Sequence, residues 1–241
     1  AHNMEPGLGY LVRAPQSFSI TSPSIDTAPL FIGNPNNGLI EIPLVKANQL
    51  YLLGNPYPSV IDADEFLKIN NAGSNPILDG TLYFWTHNSP PSNAVAGDAT
   101  YNYTSDDYAS YNRVGGVATI LRIGNTEGGN EKTANRPSGK IAAGQGFFVS
   151  SVTGGTVIFN NDMRVAGTSG NNSQFFKMTT SKAKTTSKIE KNRVWLNLTN
   201  KEGAFKQTLV GYVTGATNDY DNGYDGESFD GNDFIDFYSI N

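Results

Sequence analysis

The sequence predicts an all-β fold: a mainly antiparallel, jelly-roll-like β-sandwich with one short helix and a smaller C-terminal β unit. Three observations predict it. Turn formers recur at short intervals, with 26 Gly and 12 Pro in 241 residues, and such residues punctuate strands rather than extend helices. Between them lie short runs rich in Tyr, Phe, Val, Ile and Thr, the side chains that fit a pleated, half-buried surface. Several of these runs alternate apolar and polar residues with a period of two. The length suffices for one large β domain or two smaller ones with a real core.

Strand signals open the chain in succession: "GYLVRA" (9–14), "SFSIT" (17–21), "LFIG" (30–33), "GLIEIPLV" (38–45) and "QLYLLG" (49–54). In the fourth, Ile40, Ile42 and Leu44 share a face. The helix is expected in "PSVIDADEFLKINNAG", where Ser59 precedes Asp62 by three residues, an acidic relative of the capping box. Ala63, Phe66 and Leu67 would face the core, and Asn71 to Gly73 would end the helix. "GTLYFWTH" (80–87) is apolar on both faces, with Leu82 and Phe84 on one and Tyr83, Trp85 and His87 on the other, so it reads as a central strand covered on both sides. A long polar loop is expected from Asn88 to about Asn112, then a strand "VATILRIG" (117–124) and a Gly/Asn-rich loop over 125–139. "KIAAGQGFFVSS" (140–151) and "GTVIFNNDMRV" (155–165) read as a hairpin. "GLGYLVRA" (7–14) and "GQGFFVSS" (144–151) share Gly-x-Gly-aromatic-apolar-Val, either a duplicated half or two similar strands by chance.

Composition then shifts. Residues 177–193 carry six basic residues, one acid and many Ser and Thr, the signature of a solvated linker. The expected organisation is a main module over 1–176, a linker or long loop over 177–191, and a small β unit over 192–241. That unit holds three strand signals, "RVWLNLTN" (193–200), "FKQTLVGYV" (205–213) and "DFIDFYSI" (233–240). Three strands make a poor core alone, so they should dock on the main module or be completed elsewhere.

Charge and residue usage exclude several functions. The net charge of −5 lacks the basic footprint that a nucleic-acid backbone demands. No run of 18 apolar residues offers a membrane-spanning helix. Cys is absent and only His2 and His87 are imidazoles, which starves a zinc site of ligands. No Gly-x-Ser-x-Gly elbow accompanies His87. Gly7-x-Gly9 and Gly144-x-Gly146 lack the third Gly of a dinucleotide site. Asp62, Asp64 and Glu65 could supply a glycosidase carboxylate pair, but any acidic protein offers such pairs. A non-catalytic protein is expected.

Two binding chemistries are legible. Tyr83, Trp85 and His87 share a strand face, and "YNYTSDDYASYN" adds Tyr101, Tyr103, Tyr108 and Tyr111 near Asp106 and Asp107; flat rings could stack on sugars while the carboxylates accept hydroxyl bonds. The bland alternative has these tyrosines covering core with their tips in water. Asp219, Asp221, Asp225, Glu227, Asp230 and Asp233 lie on a Gly-punctuated segment without a basic residue, a donor set suited to calcium. The EF-hand pattern fails at Gly223 and Tyr224, and the same carboxylates could instead cap turns.

The segments "GNPYPSVIDADEF", "GTLYFWTHN", "YTSDDYASYN", "PSGKIAAGQGFFV", "VIFNNDMRV" and "RVWLNLTNKEGAFKQTLVGYVTGATNDYDNGYDGESFDG" together resemble a module of large secreted surface proteins of Bacteroidetes that leave by type IX secretion, where it precedes a C-terminal sorting domain. The resemblance spans nearly the whole chain. It implies an extracellular or cell-surface location, an outer-membrane secretion machinery as partner through neighbouring sequence, and a structural or adhesive role, with surface or environmental polysaccharide as the ligand in the carbohydrate-binding alternative. It also implies that "FYSIN" lies near the start of a sorting domain and that "PGLGYLVRAP" is a mid-module position. Asp26-Thr27-Ala28 resembles the O-glycosylation acceptor of such bacteria, with Thr27 the modified residue, against an ordinary turn.

Overall fold

The computed structural model describes residues 3–12, 33–71, 75–86, 91–94, 100–103, 107–119, 136–165, 191–199, 205–228 and 236–240. They form the expected all-β, sandwich-like fold with one α-helix, and every paired strand is antiparallel. The strands are β1 (Ile40–Leu44), β2 (Gln49–Gly54), β3 (Ile61–Asp62), β4 (Leu78–Trp85), β5 (Tyr108–Tyr111), β6 (Gly116–Val117), β7 (Lys140–Ile141), β8 (Gly146–Ser151), β9 (Gly155–Phe159), β10 (Lys191–Thr199) and β11 (Phe205–Val213); helix α1 is Ala63–Asn70. One sheet has five strands in the order β2-β8-β4-β5-β6, so β4 is central, as its two-sided apolar pattern predicts. Three two-stranded sheets accompany it: β1-β9, β3-β7 and β10-β11.

The core lies between the inner face of the five-stranded sheet and a layer made of β1, β9 and α1. Leu53, Leu82, Phe84, Phe147 and Val149 meet Ile42, Leu44, Val157, Phe159 and Met163 across it. Phe66 from α1 fills the middle, its ring centroid 5.4 Å from Phe147 and 5.1 Å from Phe159, at distances where edge-on and tilted rings attract. The helix forms where predicted, with Ala63, Phe66 and Leu67 buried and Asn71 as the C-cap. Its N-cap is Asp62, however, not Ser59. The Asp62 carboxylate accepts from the N–H groups of Asp64 at 2.9 Å and Glu65 at 3.3 Å and pairs with Lys140, its register partner across β3-β7. Ser59 is instead held by Arg164, whose Nε donates to Ser59 Oγ at 2.9 Å. Buried Asn side chains replace missing ladders. Asn70 Nδ2 donates to Phe66 O and Ile158 O while its Oδ1 accepts from Ile158 N at 2.7 Å. Asn55 Nδ2 reaches Ser59 O, Ile141 O and Ala142 O.

Several expected elements come out differently. The segments 140–151 and 155–165 do not form a hairpin. β8 has both edges occupied, by β2 and β4, so β9 crosses to the other layer and pairs with β1. The connection from β1 to β2 makes the same crossing, and Ser151 Oγ ties the two corners by donating to Lys46 O at 2.7 Å. Of "GYLVRA", residues 9–12 carry no strand. Leu8 makes a single bridge to Leu53, so the two Gly-x-Gly stretches flank Gly54 from opposite sides rather than building matched hairpins: Gly54 N donates to Gly7 O at 3.0 Å, and Gly54 is the register partner of Gly146. The expected loop 88–112 contains a strand, β5. Of "VATILRIG", Val117 belongs to β6 and residues 118–119 carry no strand, while residues 120–124 lie outside the described residues, as do 17–21 and 30–32. Residues 236–240 carry no strand.

The β10-β11 hairpin, nine register pairs long, docks against the β6 edge through side chains. Gln207 Oε1 accepts from Ala118 N at 3.0 Å, Trp195 Nε1 donates to Gly116 O at 3.0 Å and Arg193 Nη1 donates to Val114 O at 2.9 Å. Arg136 and Arg193 stand 4.0 and 5.2 Å from the Trp195 ring centre, within cation–π range. The docking is thus polar and aromatic, which the alternating pattern of the two strands does not specify. No helix among the described residues is long and apolar enough to cross a membrane.

Candidate functional site

On β5, alternation sends Ala109 and Tyr111 inward and Tyr108 and Ser110 outward. Tyr83 of β4 and Phe148 of β8 are register partners of one another, and Ser110 is the partner of Tyr83. The outer face is therefore a platform of Tyr83, Tyr108 and Ser110. It is roofed by β11 and by the C-terminal segment, leaving a cleft of about 580 Å3 between Tyr83, Tyr108, Ser110 and Asn112 on one side and Phe205–Leu209, Tyr220, Tyr224–Ser228 and 236–239 on the other.

Backbone-directed bonds hold that roof in place. Asn222 Nδ2 donates to Leu78 O at 3.1 Å and its Oδ1 accepts from Asn71 Nδ2 at 2.5 Å. Arg113 N donates to Gly223 O at 3.0 Å, Asn112 Nδ2 to Tyr224 O at 2.6 Å, and the Arg113 guanidinium lies 4.6 Å from the Tyr224 ring centre. Closest approach falls at two glycines. Gly80 has φ +92° and Gly223 φ +87°, and a Cβ on Gly80 would stand 2.3 Å from the Gly223 Cα. Both the left-handed backbone and the contact require Gly. Gly80 sits in an irregularity of β4, where two extra residues interrupt the register between Leu78 and Leu82. This bulge turns the strand end toward the roof.

Acidic groups act on two of the cleft tyrosines, Tyr83 and Tyr220. Burial is the larger cause that raises the Asp79 carboxyl to about 6, with the Glu227 charge adding to it against the Thr81 N–H, which donates to Asp79 Oδ1 at 2.9 Å. The Tyr83 phenol is raised by burial first and then by Asp79 and Glu227, and Tyr220 likewise by burial, Asp79, Glu227 and Asp225. These are the expected directions for acids desolvated beside like charge. Thr81 lines the cleft with its Oγ1 buried beside the Tyr83 phenol, and its side chain, hydrogen-bonding toward that phenol, works against the upward push of burial.

The residues proposed for carbohydrate contact separate. Tyr108 lines the cleft, its ring 5.7 Å from Phe148, and burial followed by the Asp107 charge raises its phenol. Tyr111 is a core residue on the opposite face. Its hydroxyl donates to Asp64 Oδ1 at 3.0 Å, and burial, then the Asp64 charge, lift it well above the usual phenol range. Asp107 is buried, and its carbonyl accepts from Thr86 N and Thr86 Oγ1. Tyr103 is exposed and packs edge-on against Trp85 at 5.0 Å; Tyr101 is exposed. Trp85 is itself partly open to solvent, because β4 ends there. Period-two alternation explains why Tyr108 and Tyr111, three apart, face opposite ways.

Among the calcium candidates, Asp221 and Asp225 serve the turn. An Asp221 carboxylate oxygen accepts from Thr217 N, Asp225 Oδ2 accepts from Asp221 N at 2.7 Å, and Asp221 O accepts from Tyr224 N and Asp225 N. Asp219 N is held by Thr217 Oγ1 at 3.1 Å, and Glu227 lines the cleft. No group of three or more His, Asp or Glu among the described residues could hold a metal ion. Asp106, Asp230, Asp233, Thr27 and His87 lie outside the described residues. The carboxylates weighed for glycoside hydrolysis are engaged structurally: Asp62 caps α1, Asp64 accepts from Tyr111, and Glu65 pairs with Lys68. The sequence does not mark Tyr220 and Tyr224 as site residues, and it leaves Tyr83 between a sugar-stacking strand face and core. Their one signal was the interleaving of Tyr220 and Tyr224 with acids, which became a wall only when Gly223 met Gly80.

Such a cleft, with phenolic rings beside carboxylates, an amide and hydroxyls, can offer stacking faces and both donors and acceptors to a polar ring-shaped ligand. No curated protein and no solved structure matches the chain. The sequence does match one family across residues 1–241, and the chain therefore belongs to the family described as a domain of unknown function (DUF8693).

Proposed function

We propose that this chain is a non-catalytic adhesive module of a secreted cell-surface protein, exported by type IX secretion, that binds carbohydrate through the cleft between the five-stranded sheet and its C-terminal roof. The observation that carries the binding reading is the cleft itself: Tyr83, Tyr108, Tyr220 and Tyr224 are brought from three distant parts of the chain around one space of about 580 Å3, together with Ser110, Asn112 and Glu227. Saccharides need apolar faces for their C–H surfaces and hydrogen-bonding groups for their hydroxyls, and both stand here side by side. Export and surface location are supported by the resemblance of the quoted segments to type IX substrates.

Pull-down on insoluble polysaccharides and a glycan array test the reading. The folded protein should retain at least one glycan, and Tyr108→Ala should weaken retention at least tenfold, whereas Tyr101→Ala should leave it unchanged. Repeating the binding with chelator present separates a calcium-dependent site, which would need Asp219, Asp230 and Asp233, from the cleft alone. A folded protein that retains no glycan sinks the carbohydrate reading and leaves a purely structural module.

A further inference from the structure

The outer face of the five-stranded sheet does not end with the cleft. Trp85 is the register partner of Tyr108, so both side chains stand on the face that carries Tyr83, two residues back along β4. Between these two outward residues of β4, exposure rises from 5% at Tyr83 to 36% at Trp85. The roof touches the sheet at Gly80, and by Trp85 the aromatic row has emerged from beneath it. Tyr103, 45% exposed, meets Trp85 there, with ring centroids 5.0 Å apart and planes 75° apart. The two rings form an open corner, not a stack in which each would hide a face of the other. The second tryptophan, Trp195, is committed to docking: its Nε1 donates to Gly116 O, and the guanidinium groups of Arg136 and Arg193 lie against its ring. Trp85 and Tyr103 instead leave ring surface in water beside a cleft, and adjoining exposed aromatic surface of this kind marks a contact site.

We infer that the site takes an unbranched, β-1,4-linked polysaccharide chain, one stretch of which lies in the cleft against Tyr83 and Tyr108 while the following rings lie in the corner of Trp85 and Tyr103; this rests on the carbohydrate reading above. Tyr108 is the link, since it lines the cleft and is paired across the ladder with Trp85. The β-1,4 linkage keeps successive pyranose rings in an extended ribbon, which can follow a row of side chains along a sheet face; an α-1,4 chain coils away from it. Rings reaching the corner are tethered to those in the cleft, so their contacts add to binding without a second loss of overall freedom.

Titration calorimetry tests this with the disaccharides and hexasaccharides of cellulose, chitin, xylan and mannan. At least one series should bind, its hexasaccharide about tenfold or more tighter than its disaccharide. Trp85→Ala and Tyr103→Ala should each reduce that gain and the double variant should erase it, with thermal unfolding showing that the variants fold. If the Trp85 variants unfold, Tyr103→Ala alone decides, since Tyr103 lies at the surface. Tyr108→Ala should weaken both lengths together. Equal affinity for the two lengths overturns the aromatic corner and leaves the cleft reading standing. A gain with length that survives these substitutions overturns the assignment to Trp85 and Tyr103. Binding of none of the four series by protein that retains another glycan on the array overturns the β-1,4 chain alone, and binding of no saccharide in either assay overturns both readings.

Discussion

On its inner face the five-stranded sheet presents Leu82, Phe84, Phe147 and Val149 to β1, β9 and α1, and the contact is apolar and closed. On its outer face the same strands present Tyr83, Tyr108 and Ser110 to a roof held by Asn71, Asn112, Asn222 and two apposed glycines, and the contact stays open as a cleft. The inner face is held by removal of apolar surface from water, which is non-directional and tolerant of the details of side-chain geometry. The outer face is held by a few directional hydrogen bonds at fixed distances. A region of the first kind gives stability; one of the second kind keeps polar groups available to a ligand.

The largest way to break the comparison is on the inner side. Phe66→Ala removes the ring that bridges Phe147 and Phe159 and should cost about 3–5 kcal/mol, read by urea unfolding as a lowered midpoint. A loss below about 1 kcal/mol would show that the core is not organised around Phe66. Next comes Gly80→Ala on the outer side. Left-handed backbone costs a residue with a Cβ about 1–2 kcal/mol, and contact with Gly223 adds to it, so a loss of about 2–3 kcal/mol is expected, with proteolysis inside 217–228 accelerated while the inner core stays protected from amide exchange. Uniform loss of protection across both faces would mean that the roof is part of the core's cooperative unit.

The smallest effect sharpens the comparison electrostatically. Asp79 is raised in the folded protein to about 6, above the unfolded value of about 3.9. The folded state therefore holds a proton that the unfolded state has lost between about pH 4 and 6, and stability attributable to Asp79 falls as pH rises through that window. Asp79→Asn, which keeps an oxygen for the Thr81 N–H, should be more stable than the parent by about 1–2 kcal/mol at pH 7.5, and the gap should close toward pH 4. A constant gap across this range would place the source elsewhere than in the ionisation of Asp79.

Legibility in the sequence follows the same division. Strand β1 appeared with Ile40, Ile42 and Leu44 on one face, α1 with its three inward residues, and β4 as the centre, because each depends on a periodicity contained in its own few residues. The supposed hairpin of β8 and β9 failed because adjacency in sequence does not reveal that β2 and β4 have already taken both edges of β8. Tyr111 was grouped with Tyr108 because residue type was visible and strand β5 was not. Asp79 and Glu227 lie 148 positions apart, and no local pattern relates them.

By itself the sequence determined the class of structure and the inner layer, since turn chemistry and alternating burial are encoded over windows of five to ten residues. Only the tertiary structure decided the site. It needed a bulge at Gly80, a left-handed Gly223 and three asparagines to meet across the fold, and directional contacts between distant residues leave no period for a reader of the chain to find.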